Sequence, residues 1–416
     1  MQHVMVIGGG VVGLTTAWSL LEAGFEVSLV ERESALAQGA SRANGGQLSY
    51  RYVSPLADTG VPLKALRWLF EPDGPLRFKP EWSLHQWAWL ASFLSNCRGS
   101  VNRRTTQRLL ALGAFSQASF SGLYARAELE GVALRTPGKL VIYRNAGEFA
   151  TVASRLRSDP NNVEQVLDYR ECLRIEPALT HSPVPLAGGV FTAGEAVADC
   201  YALSLQLAER LRAHSHFRGF VHATAQGFVI RGGQAVALRT DQGELDAHAF
   251  VVAAGLQSRT LALTAGIRLP IYPLKGYSLT APIGPEHKPP VVSVTDIEKK
   301  ILYAQIGNEL RVAAMADLVG EDTRIDPARM ASLYRSVQAT FPQAAGYEAA
   351  EEWAGLRPAT PSGAPILGAT PVPGLWLNVG HGALGFTMSF GSARIVADLI
   401  AERPSPLSLD GLQLHG

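Results

Sequence analysis

The first thirty-one residues constrain the fold most. Val4-Met5-Val6-Ile7 is an apolar run long enough for one buried strand, and it breaks into Gly8-Gly9-Gly10-Val11-Val12-Gly13, which reads G-x-G-x-x-G. The periodicity that follows predicts a helix with Val12, Ala17, Leu20 and Leu21 on its apolar side, ended by Gly24. A second strand, Val27-Ser28-Leu29-Val30, closes on Glu31, eighteen residues after the last glycine of the turn. Strand, tight turn, helix, strand and terminal acid together predict a dinucleotide-binding unit. Gly8 allows the turn, Gly10 lets a pyrophosphate approach the backbone, and Gly13 lets helix and strand pack closely. Val11 and Val12 open the helix, whose unpaired N–H groups and dipole favour phosphate. Glu31, with Arg32 beside it, is expected at the ribose hydroxyls, which argues against a 2′-phosphate there.

The chain has 416 residues, enough for two lobes, because single cores stop growing at roughly 250–300 residues. A net charge of +1 with no basic block predicts no attraction to nucleic acid. Cys97, Cys172 and Cys200 are scattered without a C-x-x-C, which suits a reducing compartment and offers no metal site. The apolar start contains the glycine turn itself and lacks the basic flank of a leader, and no apolar run reaches about 18 residues. The expected location is cytoplasmic, with room for a peripheral contact on the inner face of the cell membrane.

After Glu31 the stretch Ser41-Arg42-Ala43-Asn44-Gly45-Gly46-Gln47 is small, polar and glycine-rich, as where a chain passes a large flat ligand. Tyr50-Arg51-Tyr52 follows as a candidate pocket lining. Residues 61–98 hold Trp68, Trp82, Trp87 and Trp89 with Phe70, Phe78 and Phe93, broken by Pro62, Pro72, Pro75 and Pro80. Such a stretch suits a membrane interface, a partner or core packing, and these remain open. A helix is expected over 103–130, stopped by Gly131, then a strand pair over 135–144 interrupted by Pro137-Gly138. Further helices are expected over 148–157, 169–177 and 202–213. Short strands over 220–225, 227–231, 235–239 and 244–246 read as a meander, feeding a buried strand at 249–255 whose Ala254-Gly255 end belongs beside a dinucleotide. From Ile271 the text turns β-rich, with runs at 277–280, 291–294, 301–305 and 310–315, before a helix around 329–340. A strand at 375–379 and a closing helix at 389–401 flank Gly380-His381-Gly382-Ala383-Leu384-Gly385-Phe386-Thr387.

These blocks resemble the D-amino acid oxidase/glycine oxidase superfamily of flavoproteins over nearly the full length, most of all its D-amino acid dehydrogenase type, including flavin subunits of D-hydroxyproline dehydrogenases. The matching text is G-G-G-V-V-G, S-R-A-N-G-G-Q at 41–47, G-V-P-L-K-A at 60–65, Y-P-L-K-G-Y-S-L-T at 272–280, W-A-G-L-R-P-A-T-P at 353–361 and L-N-V-G-H-G-A-L-G-F-T at 377–387. The resemblance implies an α/β fold: a Rossmann-like FAD domain of glutathione-reductase type, with a discontinuous α+β substrate domain on an antiparallel sheet. We assign 1–95, 165–268 and 353–416 to the first and 96–164 with 269–352 to the second.

It also implies FAD rather than NAD, bound noncovalently, because no cysteine lies near G-L-R-P, where sarcosine oxidase-like relatives attach flavin. The cofactor set is then Gly8, Gly10, Val11, Val12, Gly13, Glu31 and Arg32 at the phosphate and ribose, and Ser41, Asn44, Gly45, Gly46 and Gln47 along the isoalloxazine. Val221, Ala254 and Gly255 join it, as do Gly380, His381, Gly382, Gly385, Phe386 and Thr387, where a helix N-terminus would face the flavin. His381 is read as structural. Arg357 of the G-L-R-P block is expected on the substrate carboxylate, since a guanidinium makes a bidentate, charge-assisted pair. Tyr303, Tyr277, Tyr50 and Tyr52 are further substrate candidates, and Pro361-Ser362-Gly363 departs from the family's Pro-Asp-Gly.

The implied reaction is oxidative deamination of a D-amino acid, or oxidation of a cyclic imino acid such as D-proline, by hydride transfer from Cα to flavin N5. Electrons would leave to a quinone or a partner subunit. Three alternatives stay open: an oxygen-using oxidase, a flavin subunit inactive alone, and a nicotinamide-binding or sensing protein.

Overall fold

The computed structural model describes every residue except 54–56, 58–59, 63–67, 69–70, 72–73 and 415–416. Phe70, Pro72 and the end of the 60–65 block therefore lie outside the described residues. The chain runs β1 (His3–Ile7), α1 (Val11–Glu22), β2 (Glu26–Glu31), β3 (Gln47–Leu48), α2 (Leu84–Asn96) and α3 (Gly99–Ala127). It continues through β4 (Lys139–Tyr143), α4 (Ala146–Ser158), β5 (Gln165–Leu167), α5 (Tyr169–Ile175), β6 (Gly188–Thr192), β7 (Ala196–Val197), α6 (Cys200–Ala213) and β8 (Phe217–His222). Next are β9 (Ala225–Arg231), β10 (Gln234–Thr240), β11 (Gly243–Asp246), β12 (Ala249–Val252), α7 (Gln257–Leu263), β13 (Tyr272–Pro282), β14 (Ser293–Asp296), β15 (Ile301–Ile306) and β16 (Glu309–Asp317). The end is α8 (Pro327–Thr340), β17 (Glu351–Ala359), β18 (Ile366–Ala369), β19 (Leu375–Val379) and α9 (Gly385–Ile400).

One sheet is ordered β18-β19-β12-β1-β2-β8, parallel except for β18. Both faces are covered, so the strands read as unbroken apolar runs rather than alternating ones. Val4, Val6, Val27, Leu29 and Val251 point into a core shared with α1, α3, α6 and α9. Met5, Ile7, Phe250 and Val252 point the other way, into a core shared with α7 and the antiparallel sheet β11-β10-β9. The period-2 alternation of side chains thus splits one apolar sentence between two cores.

The second large sheet, β17-β13-β16-β15-β14-β4-β6-β5, is antiparallel at every pairing but one: β14 runs parallel to β4. It is thus an antiparallel sheet, as expected, with one parallel pair inside it. Its outer face packs on α8 and α5 through Leu279, Tyr303, Val312, Leu333 and Phe341.

Several local expectations are corrected. The run at 220–225 is not the first strand of the meander, because β8 hydrogen-bonds parallel to β2 with Val221 opposite Val30. The long helix ends at Ala127 with Glu128 in the left-handed conformation (φ 47°), before Gly131 is reached. Only one strand forms in 135–144, while Arg135 bridges to Val197 across another segment. The lobes also interleave more finely than the boundaries drawn above. β5, β6 and β17 belong to the eight-stranded sheet, and α3 packs in the core beneath α9. The stretch Gly382–Ile400 is long and apolar enough to cross a membrane, but 72% of its apolar window is buried inside the protein. It is a core helix.

Candidate active site

Between the two large sheets lies a cavity of about 1630 Å³. That exceeds the roughly 300–1,000 Å³ of a drug-sized pocket and leaves room for a large cofactor with a second molecule. One end is the glycine turn. A Cβ on Gly8 (φ 115°) would lie 2.5 Å from Ala253 O, and one on Gly13 would lie 1.8 Å from Gly8 O. Both glycines are thus required by packing, and Gly13 sits behind the cavity rather than in its wall. Gly10 differs: a Cβ there would meet only Ser41 Oγ, at 3.3 Å, so its bare backbone faces the cavity with Val11 and Val12. Ser41 Oγ accepts from Val11 N at 3.0 Å, tying the following loop to the helix start.

Glu31 ends β2 at the cavity wall, with Arg32 beside it. Its Oε2 accepts from Gly9 N at 2.5 Å and its Oε1 from Glu33 N at 2.9 Å, so the carboxylate is preset and each oxygen keeps a lone pair for a hydroxyl donor. Ala254 and Gly255 line the cavity, but Val221 does not. It packs beside Val30, and the chain reaches the cavity only at 223–226.

The loop 41–47 runs along the middle of the cavity and is held from behind. Asn44 Oδ1 accepts from Gly46 N at 2.9 Å, and Arg311 Nη1 donates to Asn44 O at 2.9 Å. Gly45 and Gly46 lie against Leu302 and Ile306, where a Cβ would come within 2.5 Å and 2.2 Å of those side chains. The N-terminus of α9 faces the same region through Gly385, Phe386 and Thr387, four residues earlier than expected, after a turn of 3₁₀ helix at 382–384. Thr387 Oγ1 donates to Gln47 O and accepts from Ser49 N, both at 3.3 Å, locking the loop to the helix. Gly380, His381 and Gly382 also line the wall. The His381 ring is buried with Nε2 3.0 Å from Ser392 Oγ, and burial pulls its pKa down to about 4. It is neutral at neutral pH and positioned as a structural group.

At the far end is Arg357, on β17. Its side chain lies across the neighbouring strand over Gly276, where a Cβ would come 2.3 Å from Nη2. Nη1 donates to Met315 O at 2.8 Å. Among the described residues no carboxylate pairs with it at salt-bridge distance. Asp317, the acid whose charge supports it, is taken by Arg329 at 2.6 Å and by Arg77 N at 3.0 Å. Burial lowers the pKa of Arg357, but a guanidinium remains charged. The result is a half-buried cation lining a cavity, a site for an anionic group.

The tyrosines divide. Tyr52 lines the cavity, with Lys139 Nζ 4.1 Å from its ring centroid. Tyr50, next but one, points into the core behind, where its backbone N donates to Glu195 at 2.7 Å. Tyr303 is fully buried beneath α8, edge-on to Phe341 at 4.9 Å, because the residue facing the cavity on β15 is Leu302. Tyr277 reaches the cavity edge, but its ring belongs to the same outer core, with Lys275 Nζ 5.3 Å from its centroid. Tyr50, Tyr303 and the ring of Tyr277 are therefore not pocket groups. Sequence reading missed Lys139, Ser49 and Gly276. A glycine inside a long strand was the available signal for the last, since it marks close approach by another group.

Comparison with known proteins follows this geometry. The model of the FAD dependent oxidoreductase (DAO) family matches residues 3–399. "D-amino acid dehydrogenase 2" of Pseudomonas aeruginosa is 48% identical over 416 residues, 100% of this chain and 99% of the relative. The protein of the same description from Ralstonia nicotianae is 43% identical, with 97% of each chain covered. Among solved structures, glycine oxidase from Geobacillus kaustophilus superposes with a TM-score of 0.76 at 21% identity, covering 100% and 99% of the two chains. L-proline dehydrogenase from P. horikoshii gives 0.75 at 14% identity, with 99% and 96% covered. At those identities the structures speak for the fold.

Proposed function

Because the chain belongs to the family of FAD-dependent oxidoreductases, we propose that it is a D-amino acid dehydrogenase, oxidising D-amino acids or cyclic D-imino acids and passing the electrons to an acceptor other than oxygen. The observation that carries the reading is Arg357, a half-buried guanidinium that no carboxylate pairs among the described residues, in the same cavity as the glycine cradle. The relatives of 48% and 43% identity bear the name of that activity.

The residues fit FAD. The bare backbone at Gly10 leaves room for a pyrophosphate, the preset Glu31 has lone pairs for ribose hydroxyls, and the N-terminus of α9 offers positive potential beside the loop 41–47. The three cysteines are all buried, and none lines the cavity, which suits noncovalent binding. Bound FAD supplies a two-electron acceptor. Arg357 binds the α-carboxylate through two parallel hydrogen bonds and so fixes which Cα substituent faces the cofactor, a proximity and orientation effect. Leu302, Trp353 and Met315 line the same region and shield it from water. The substrate amine reacts as its neutral form, so activity is expected to rise with pH through the pKa of the bound amine.

The acceptor we propose is a membrane quinone, with the protein peripheral on the cytoplasmic face. Support comes from α2 and the residue pair before it: Trp82 is 108% exposed, Leu84 92%, Trp87 51% and Leu94 55%, apolar side chains unusual at a free surface. Trp87 and Leu94 also line the cavity, so the apolar face and the site are continuous. The test is turnover of D-alanine and D-proline in air, with and without a soluble quinone. Product that requires the quinone, without peroxide, is expected. Peroxide formed mole for mole with product would identify an oxidase instead.

A further inference from the structure

Lys139 opens β4, a strand whose five residues are all buried, and it is itself 2% exposed, yet it lines the cavity. Its ammonium donates to Gln47 Oε1 at 3.0 Å and to Ser49 Oγ at 2.9 Å, and it stands over the Tyr52 ring. Gln47 and Ser49 are also the residues that Thr387 ties to the start of α9. Glu195, equally buried, accepts from Tyr50 N at 2.7 Å and from Arg51 N at 2.8 Å. Residues 47–52 are thus held by two buried groups of opposite sign, one holding side chains and the other holding backbone. The two charges are not in contact. Burial pulls the lysine below its ordinary range, and the charge of Glu195 opposes that pull from a distance.

Packing alone does not call for a lysine here. An apolar residue at the head of K-L-V-I-Y would bury more cheaply, and the three groups that Lys139 touches are uncharged. Its position is informative. Lys139 lines the cavity and is bonded to the loop that runs beside the α9 N-terminus.

We propose that Lys139 is a positioning residue for the flavin: it fixes segment 47–52 at the ring end of the cavity and places there a positive charge that favours the reduced, more negative cofactor. Glu195 is its remote counter-charge and holds the backbone of the same segment. The proposal rests on FAD occupying the cavity and not on which amino acid is the substrate.

The experiment uses full-length protein, stripped of FAD and reconstituted, as wild type, Lys139→Met, Lys139→Gln and Lys139→Arg. Flavin midpoint potentials are measured by equilibration with a reference dye, and FAD affinities by fluorescence quenching of the apoprotein. Both neutral variants are expected to lose about tenfold in preference for reduced over oxidised FAD, a fall of about 30 mV for a two-electron couple. Lys139→Arg, which keeps the charge, stays near wild type. Potentials unchanged in the neutral variants overturn the proposal even if FAD affinity has dropped, because a merely structural lysine would weaken both redox states alike. Lys139→Gln is smaller and still a donor, so it keeps the test available should Lys139→Met fail to fold. Substrate plays no part in the readout, so failure of the D-amino acid reading would be seen separately, in turnover.

Discussion

Arg357 and Gly276 form one unit, because the guanidinium occupies the space a side chain at 276 would fill. Arg357→Ala is expected to raise KM about 100-fold, on the order of 3 kcal/mol for a bidentate charged pair, with FAD still bound. Gly276→Ala tests the geometry itself. Its methyl would displace the guanidinium, raising KM about tenfold while the flavin spectrum is retained, and an unchanged KM would mean that Arg357 does not lie over that strand. Tyr303→Phe should leave KM as it is, since the ring sits beneath α8 on the far side of the sheet. Arg357 was legible because its surrounding text resembles a family block. Tyr303 was misread for a reason of strand geometry: one step along β15 reverses the face, and a short apolar run does not announce which face is wet. Lys139 gave no signal, since its partners at 47 and 49 are ninety residues away in sequence.

At the scale of elements, the glycine turn was read almost to the residue because its three glycines have separate jobs. They should also fail separately. Gly13→Ala drives a methyl into the Gly8 carbonyl and should cost about 3 kcal/mol or more in a urea melt. Gly10→Ala has only Ser41 Oγ nearby and should fold normally but bind FAD at least tenfold more weakly, measured by quenching of flavin fluorescence. The elements misread were those fixed by distant pairing. β8 has the composition of its neighbours in the meander but adds to β2, and no local pattern distinguishes the two outcomes. The α3 stop at Glu128 came before the glycine that local chemistry favoured, showing tertiary packing overriding capping preference. Glu195→Ala should loosen the 47–52 segment, since two backbone donors lose their acceptor at about 1–3 kcal/mol each.

At the scale of the molecule, two buried titratable groups give opposite pH dependences. Burial pulls His381 from 6.5 to about 4, so as pH falls through that window the unfolded chain takes the proton first and stability is lost, on the order of 3 kcal/mol. Burial raises Glu176 from 4.5 to about 7, so stability is lost as pH rises between those values. The stability of His381→Gln relative to the parent protein should therefore improve as pH falls from 6.5 to 4, and that of Glu176→Gln should improve as pH rises from 4.5 to 7. Chemical denaturation across pH 4–8 reads both. Each large sheet contributes one wall of the cavity, the parallel sheet the glycine cradle and the mixed sheet Arg357. The most direct test is anaerobic mixing of the FAD-loaded protein with D-alanine, D-proline and cis-4-hydroxy-D-proline, and with the L-enantiomers of the first two, while following the oxidised flavin band. Bleaching by D-substrates but not their L-enantiomers, lost in Arg357→Ala at the same concentration, is the expected result. A yellow protein that no D-substrate bleaches, or one that Arg357→Ala leaves fully reducible at low substrate concentration, would contradict it.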